Sequence, residues 1–157
     1  MRRLICASVA VLLLMSLPAM AAAKKKSPKA GWATPAAVEK AAENVKYLAD
    51  RQVQAKYRGR LMTFIPADLS DISDEQKYKG FIIGKLISEG VSADKLPAGQ
   101  YMVYVRKPGP AWEAYFTQKH EPVAKSTEVR PGDEDFKTPD FTIDNTTFRY
   151  WKLRIAY

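Results

Sequence analysis

Cysteine is almost missing from this sequence: of 157 residues only Cys6 carries a thiol, and it lies in an apolar run near the N-terminus. Histidine is as scarce, with His120 alone. Zinc catalysis needs several histidine or cysteine ligands at set spacings, so composition excludes it, and no metal site is expected. A serine nucleophile needs a base beside it. His120 could in space serve Ser70, Ser73, Ser88, Ser92 or Ser126, but no flanking sequence resembles a nucleophile elbow. A loop residue between Lys119 and Glu121 is the simpler reading of His120. No phosphate-cradling glycine loop follows a strand and no dinucleotide fingerprint is present, so no cofactor is expected. Beyond the first twenty-odd residues no apolar stretch reaches the roughly 20 residues of a transmembrane helix.

What the N-terminus does have is the three-part pattern of a secretory signal peptide. Arg2 and Arg3 are basic, Leu4 to Leu17 is apolar, and Pro18-Ala19-Met20-Ala21 supplies small residues before a cut expected after Ala21. The apolar run is short for an uncleaved anchor, and a lipoprotein would need its cysteine just after that run rather than at Cys6. The reading is a signal peptide over 1–21 and a protein exported to the periplasm or beyond. Losing Cys6 leaves a cysteine-free mature chain in an oxidising compartment, so its stability must come from packing. About 136 residues remain, enough for one domain with an ordinary core.

Charge is placed unevenly. Removing Arg2 and Arg3 with the signal lowers the net charge from +8 to +6. Lys24 to Arg60 holds most of the excess, whereas Asp68 to Glu75 and Asp133 to Asp144 are acidic. Lys24, Lys25, Lys26 and Lys29 therefore stand as candidates for electrostatic docking to an anionic envelope component, such as lipid or lipopolysaccharide. A solvated helix face with a flexible basic leader over 22–33 accounts for the same charges.

A single domain is expected over 34–157. Thr34 can cap a helix, Pro35 fits its first position, and Val38, Ala41, Ala42, Val45 and Leu48 recur at helical spacing, which places a helix over about 35–51. Val53 to Ile65 alternates as a strand. Pro66 to Lys79 reads as a polar loop with a helical turn capped by Ser73. Strand patterns follow at Phe81 to Ser88, broken by Gly84, and at Gln100 to Arg106. Lys107-Pro108-Gly109-Pro110 then reverses the chain into Trp112 to Thr117 as a hairpin. Ser126 to Arg130 and Phe141 to Ile143 are shorter candidates. At the end Trp151, Leu153, Ile155 and Tyr157 share one face of a strand over Thr147 to Tyr157. The fold class is mainly β (α+β): an N-terminal helix followed by an antiparallel β-sandwich or small open barrel.

Leu96-Pro97-Ala98-Gly99-Gln100-Tyr101-Met102-Val103-Tyr104-Val105 resembles the turn and strand of transthyretin-like or carboxypeptidase-regulatory-like β-sandwich domains of exported bacterial proteins. The resemblance covers about ten residues and implies a sandwich that binds, assembles or decorates. It carries no catalytic residue.

The residues allow three functions. The leading one is an exported non-catalytic binding or interaction module of the bacterial cell envelope, its specific surface the aromatic hairpin of Trp112, Glu113, Tyr115 and Phe116. Its partner would be an anionic envelope component, another envelope protein or a glycan, and export argues against nucleic acid as the target of the basic and aromatic residues from Arg149 to Arg154. The second is a carbohydrate-binding module or weak glycoside hydrolase, with Trp112 and Tyr115 stacking on sugar and Glu113 as the carboxylate. The third is a small outer-membrane β-barrel closed by the terminal aromatic strand, although strands of about 9–11 residues throughout would be needed. Asp68, Asp71 and Asp74, and likewise Asp133, Glu134, Asp135 and Asp140, match no calcium-loop pattern and read as acidic surface loops.

Overall fold

The computed structural model describes residues 29–90, 96–144 and 146–157. The signal peptide reading and Lys24, Lys25 and Lys26 lie outside the described residues.

Ten elements follow in chain order: α1 (Pro35–Ala42), β1 (Val53–Tyr57), β2 (Arg60–Pro66), α2 (Asp74–Lys79), β3 (Phe81–Glu89), β4 (Gly99–Arg106), β5 (Glu113–Gln118), β6 (Glu121–Lys125), β7 (Val129–Phe141) and β8 (Thr147–Ala156), with one 3-10 turn at Ala49–Arg51. Strands β1 to β6 form an antiparallel sheet in chain order, and β7 and β8 pair as a second, two-stranded sheet. The expected mainly β fold is what forms, and the sheets do not close into a barrel. Among the described residues no helix is long and apolar enough to cross a membrane.

Both faces of the large sheet are covered. Met62, Phe64, Ile83, Leu86, Val103 and Phe116 on one face pack with Phe148, Leu153 and Ile155 of β8, and this is the main core. On the other face Ile82, Tyr104 and Tyr115 pack with Ala33 and Val38 of the α1 region. Gly84 makes the change of face possible. Pairing slips between Ile82 and Gly84, and a Cβ at Gly84 would lie 2.4 Å from Phe64 Cζ and 2.7 Å from the Ile65 carbonyl oxygen. Ile82 faces α1 and Ile83 the main core by ordinary alternation, and the bulge lets Leu86 join Phe81 and Ile83 on the main-core face.

Helix α1 starts where the sequence places it: Thr34 Oγ1 accepts from the Ala37 amide at 3.3 Å and Pro35 holds the first position. It ends at Ala42 rather than near Arg51. The Leu48 amide donates to Pro66 O at 2.8 Å, the Asp68 amide to Lys46 O at 2.8 Å, and Tyr47 bridges Ala67. Backbone groups that a longer helix would use internally are taken by the end of β2, so the helical spacing of Val45 and Leu48 reflects burial and not helix. The alternating run after it is two strands and not one, joined at Arg58–Gly59, both at positive φ as a two-residue hairpin turn needs. Helix α2 carries the expected Ser73 cap as a full capping box: the Gln76 amide donates to Ser73 Oγ and the Ser73 amide to Gln76 Oε1.

Strand β6 carries no local signal in the sequence. Its hairpin turn uses Lys119 and His120, both at positive φ, in place of the usual Asn-Gly, and Pro122 sits in the strand, which an edge position allows. Ser126 to Arg130 is therefore a corner and the start of β7. Asp133, Glu134 and Asp135 are also not a loop; they lie in β7, where pairing jumps from Pro131↔Leu153 to Phe136↔Trp151. The opposite strand bends at Trp151, whose φ is 52°. Phe148 and Tyr150 face inward before it, Leu153 and Ile155 after it, so the alternation shifts by one residue there.

Candidate functional site

The four residues expected to share one surface are divided by the structure. Successive residues of a strand point to opposite faces, so Phe116 enters the main core and Tyr115 the core under α1, with relative exposures of 1% and 0%. Neither ring is open to a ligand. Glu113 points to the same side as Tyr115, and its carboxylate is saturated. Oε2 accepts from Arg106 Nε at 2.7 Å and from Tyr115 Oη at 2.9 Å, and Oε1 accepts from Lys125 Nζ at 2.7 Å. Burial alone would raise the Glu113 pKa, but hydrogen bonds from Lys125, Arg106 and Tyr115 outweigh it and hold the carboxyl below its ordinary value. The Lys125 pKa is raised, first by its hydrogen bond to Glu113. The cluster also fastens the chain before α1. Arg106 Nη2 donates to Gly31 O at 3.0 Å, Trp32 packs on Tyr115 with ring centroids 5.7 Å apart, and Ala33 is buried. The expected flexible leader is thus docked over its described part, and Lys29 lies with its Nζ 4.5 Å from the Trp32 ring centroid.

Trp112 alone of the four faces a cleft. The Pro108-Gly109-Pro110 reversal brings it back to the end of the sheet, where its ring meets Trp151 at 5.8 Å and 85°, and both indoles rest edge-on against Phe81. Helix α2 supplies Lys77 and Tyr78, Lys107 follows β4, and Pro131–Gly132 and Lys152 come from the two-stranded sheet; together they enclose about 420 Å³. The Lys107 amide donates to Lys77 O at 2.8 Å, which ties α2 to the end of β4. Lys107 Nζ lies 5.8 Å from the Trp112 centroid and Lys152 Nζ 5.9 Å from that of Trp151. Lys77 pairs with exposed Asp74 at 2.7 Å; among the described residues Lys107 and Lys152 have no carboxylate partner. A tryptophan at positive φ is strained by about 1–3 kcal/mol, and such strain persists where packing over-determines it. Contact with Trp112 and Phe81 supplies that packing.

A second cleft of about 630 Å³ lies between α1 and α2, floored by Ala67, Leu69, Phe81 and Ile82. Three lysines line it, Lys40, Lys46 and Lys79; Lys46 pairs with Asp68 at 3.7 Å and Lys79 with Glu75. His120 sits in the β5–β6 turn, as read from its neighbours. Among the described residues no three histidine, cysteine, aspartate or glutamate side chains are placed to hold a metal ion.

The sequence marks 149–154 as basic and aromatic and Trp112 as a binding residue, but not that the two meet. That meeting depends on the Trp151 bulge and on the packing of β8 against the large sheet, neither of which has a local sequence signal. The chain matches no protein-family model, no curated protein and no solved structure.

Proposed function

We propose that the protein is an exported, non-catalytic binding module of the bacterial cell envelope, and that the Trp112–Trp151 cleft is its binding surface. The observation that carries this reading is the pairing of two partly exposed indoles with two lysines that, among the described residues, lack carboxylate partners. Exposed aromatic rings are enriched at surfaces that meet a partner, and lysines beside them give the cleft a positive charge that favours an anionic one. The signal-like N-terminus supports export.

Glu113 favours binding over hydrolysis. A glycosidase acid must hold a proton near neutral pH, which takes a raised pKa, and a nucleophile needs an oxygen turned to the substrate. Here the pKa is lowered and both oxygens are held by donors. In the barrel reading the apolar side of the last strand would face lipid, whereas Leu153 and Ile155 are buried in the core between the sheets.

Fractionation of the producing cells tests the proposal. The processed protein is expected in the periplasmic or envelope fraction, released from membranes by salt and carbonate. Cytoplasmic retention of the full-length chain, or a carbonate-resistant membrane pool, would refute it.

A further inference from the structure

We propose that the tryptophan–lysine cleft takes an acidic saccharide, a sugar ring against the indoles with its carboxylate or phosphate groups on Lys107, Lys152 and Lys77. This rests on the reading of the cleft as the binding surface and adds the chemistry of what it binds.

Three features of the cleft narrow the ligand. The indoles meet edge-on at 85°, and the parts of the two rings left exposed at the cleft can meet the C–H face of a pyranose. Such rings also attract cations such as quaternary amines, but here the cation positions are already held: an ammonium lies within 6 Å of each ring centroid. A second cation would meet both charges, and three lysines against Asp74 leave the lining positive. The charges are lysines and not arginines. Ammonium groups on flexible stems follow an anion as a point charge and impose no planar fork, which suits acidic groups spaced along a saccharide more than one fixed carboxylate.

Shape argues in the same direction. About 420 Å³ lies in the lower part of the ~300–1,000 Å³ range of small-ligand sites and suits a short saccharide segment. The more apolar surface of the protein, between α1 and α2, is elsewhere. A membrane would be met by a broad basic face with exposed aliphatic residues, and the cleft has neither. Tyr78, 63% exposed at its mouth, adds a phenol within reach of sugar hydroxyls.

The test is calorimetric titration of the purified protein with carboxylated and phosphorylated oligosaccharides, each beside its neutral counterpart, and with phosphatidylglycerol vesicles. Charged members are expected to bind, with affinity falling as salt rises, and neutral counterparts to bind about tenfold or more weakly. Lys107→Gln with Lys152→Gln should remove most of that preference, and Trp112→Ala should remove binding of both kinds; the lysine pair is exposed and tests the site without disturbing the core. Equal binding of charged and neutral members would overturn the acidic specificity and leave the binding module standing. Binding to vesicles alone, or to no saccharide while Trp112 is still needed for retention on isolated envelopes, would overturn the saccharide. Loss of both saccharide binding and envelope retention would remove the binding module as well.

Discussion

Replacing Glu113 with glutamine separates a structural carboxylate from a catalytic one. The substitution keeps the shape but removes the charge that Arg106 and Lys125 share, and one of its two terminal atoms becomes a donor facing donors. Exposed ion pairs contribute about 0–1 kcal/mol, and breaking a buried pair costs about 3–5 kcal/mol. Side chains of Glu113 and Arg106 are 21% and 20% exposed, and that of Lys125 is 35%. An intermediate cost of about 2 kcal/mol follows, since solvent still screens Lys125. For a domain of this size that lowers Tm by about 6–10 °C. Because the folded pKa of Glu113 is lowered from its ordinary 4.5, its contribution is present above that value and is lost as pH falls through the folded pKa. Thermal melts followed by circular dichroism should show the full gap between wild type and Glu113→Gln at pH 7 and a narrowing gap below about pH 4.5. Saccharide binding at the Trp112 cleft should be unchanged. An unaltered Tm at pH 7 would refute the structural role, and a hydrolytic activity that disappears with Tm intact would restore the enzyme.

Other substitutions test the framework that positions the cleft. Gly84→Ala sets a methyl group against Phe64 and the Ile65 carbonyl, and should lower stability by about 2–3 kcal/mol, read as a lower urea midpoint at constant m; an unchanged midpoint would mean the β3 bulge is not fixed by that contact. Tyr150→Phe removes a buried hydroxyl that donates to Ala67 O at 2.7 Å, for a loss of about 1–2 kcal/mol by the same assay; no loss would show that the two sheets are not joined by this bond. Lys119→Asn with His120→Gly should raise stability by about 1 kcal/mol, because both positions have positive φ; a decrease would argue against the tight β5–β6 turn.

Local rules were enough where a single residue type decides the outcome. Thr34 and Ser73 cap the helices whose starts they mark, and the Pro-Gly-Pro reversal joins β4 to β5. They failed where tertiary hydrogen bonds compete with local preference. Val45 and Leu48 carry a helical period, yet the end of β2 takes the backbone of residues 46–48. Lys119 and His120 hide a hairpin because neither is a usual residue for positive φ. The site was half legible for a related reason. Hydrophobic aromatics read alike whether they face a ligand or a core, so sequence does not separate Tyr115 and Phe116 from Trp112; the second sheet covers Phe116 and the α1 region covers Tyr115. Glu113 beside aromatics suggested chemistry, but its saturation depends on Arg106, Lys125 and Tyr115 meeting around it, which strand pairing arranges and spacing does not show.

The most direct measurement is cosedimentation of the purified protein with isolated cell envelopes, wild type beside Trp112→Ala, across a salt series. Salt-sensitive retention of the wild type, with the variant folded but left in the supernatant, is the expected result. Equal retention of the two proteins, or none of the wild type at any salt concentration, would contradict the Trp112–Trp151 cleft as the binding surface.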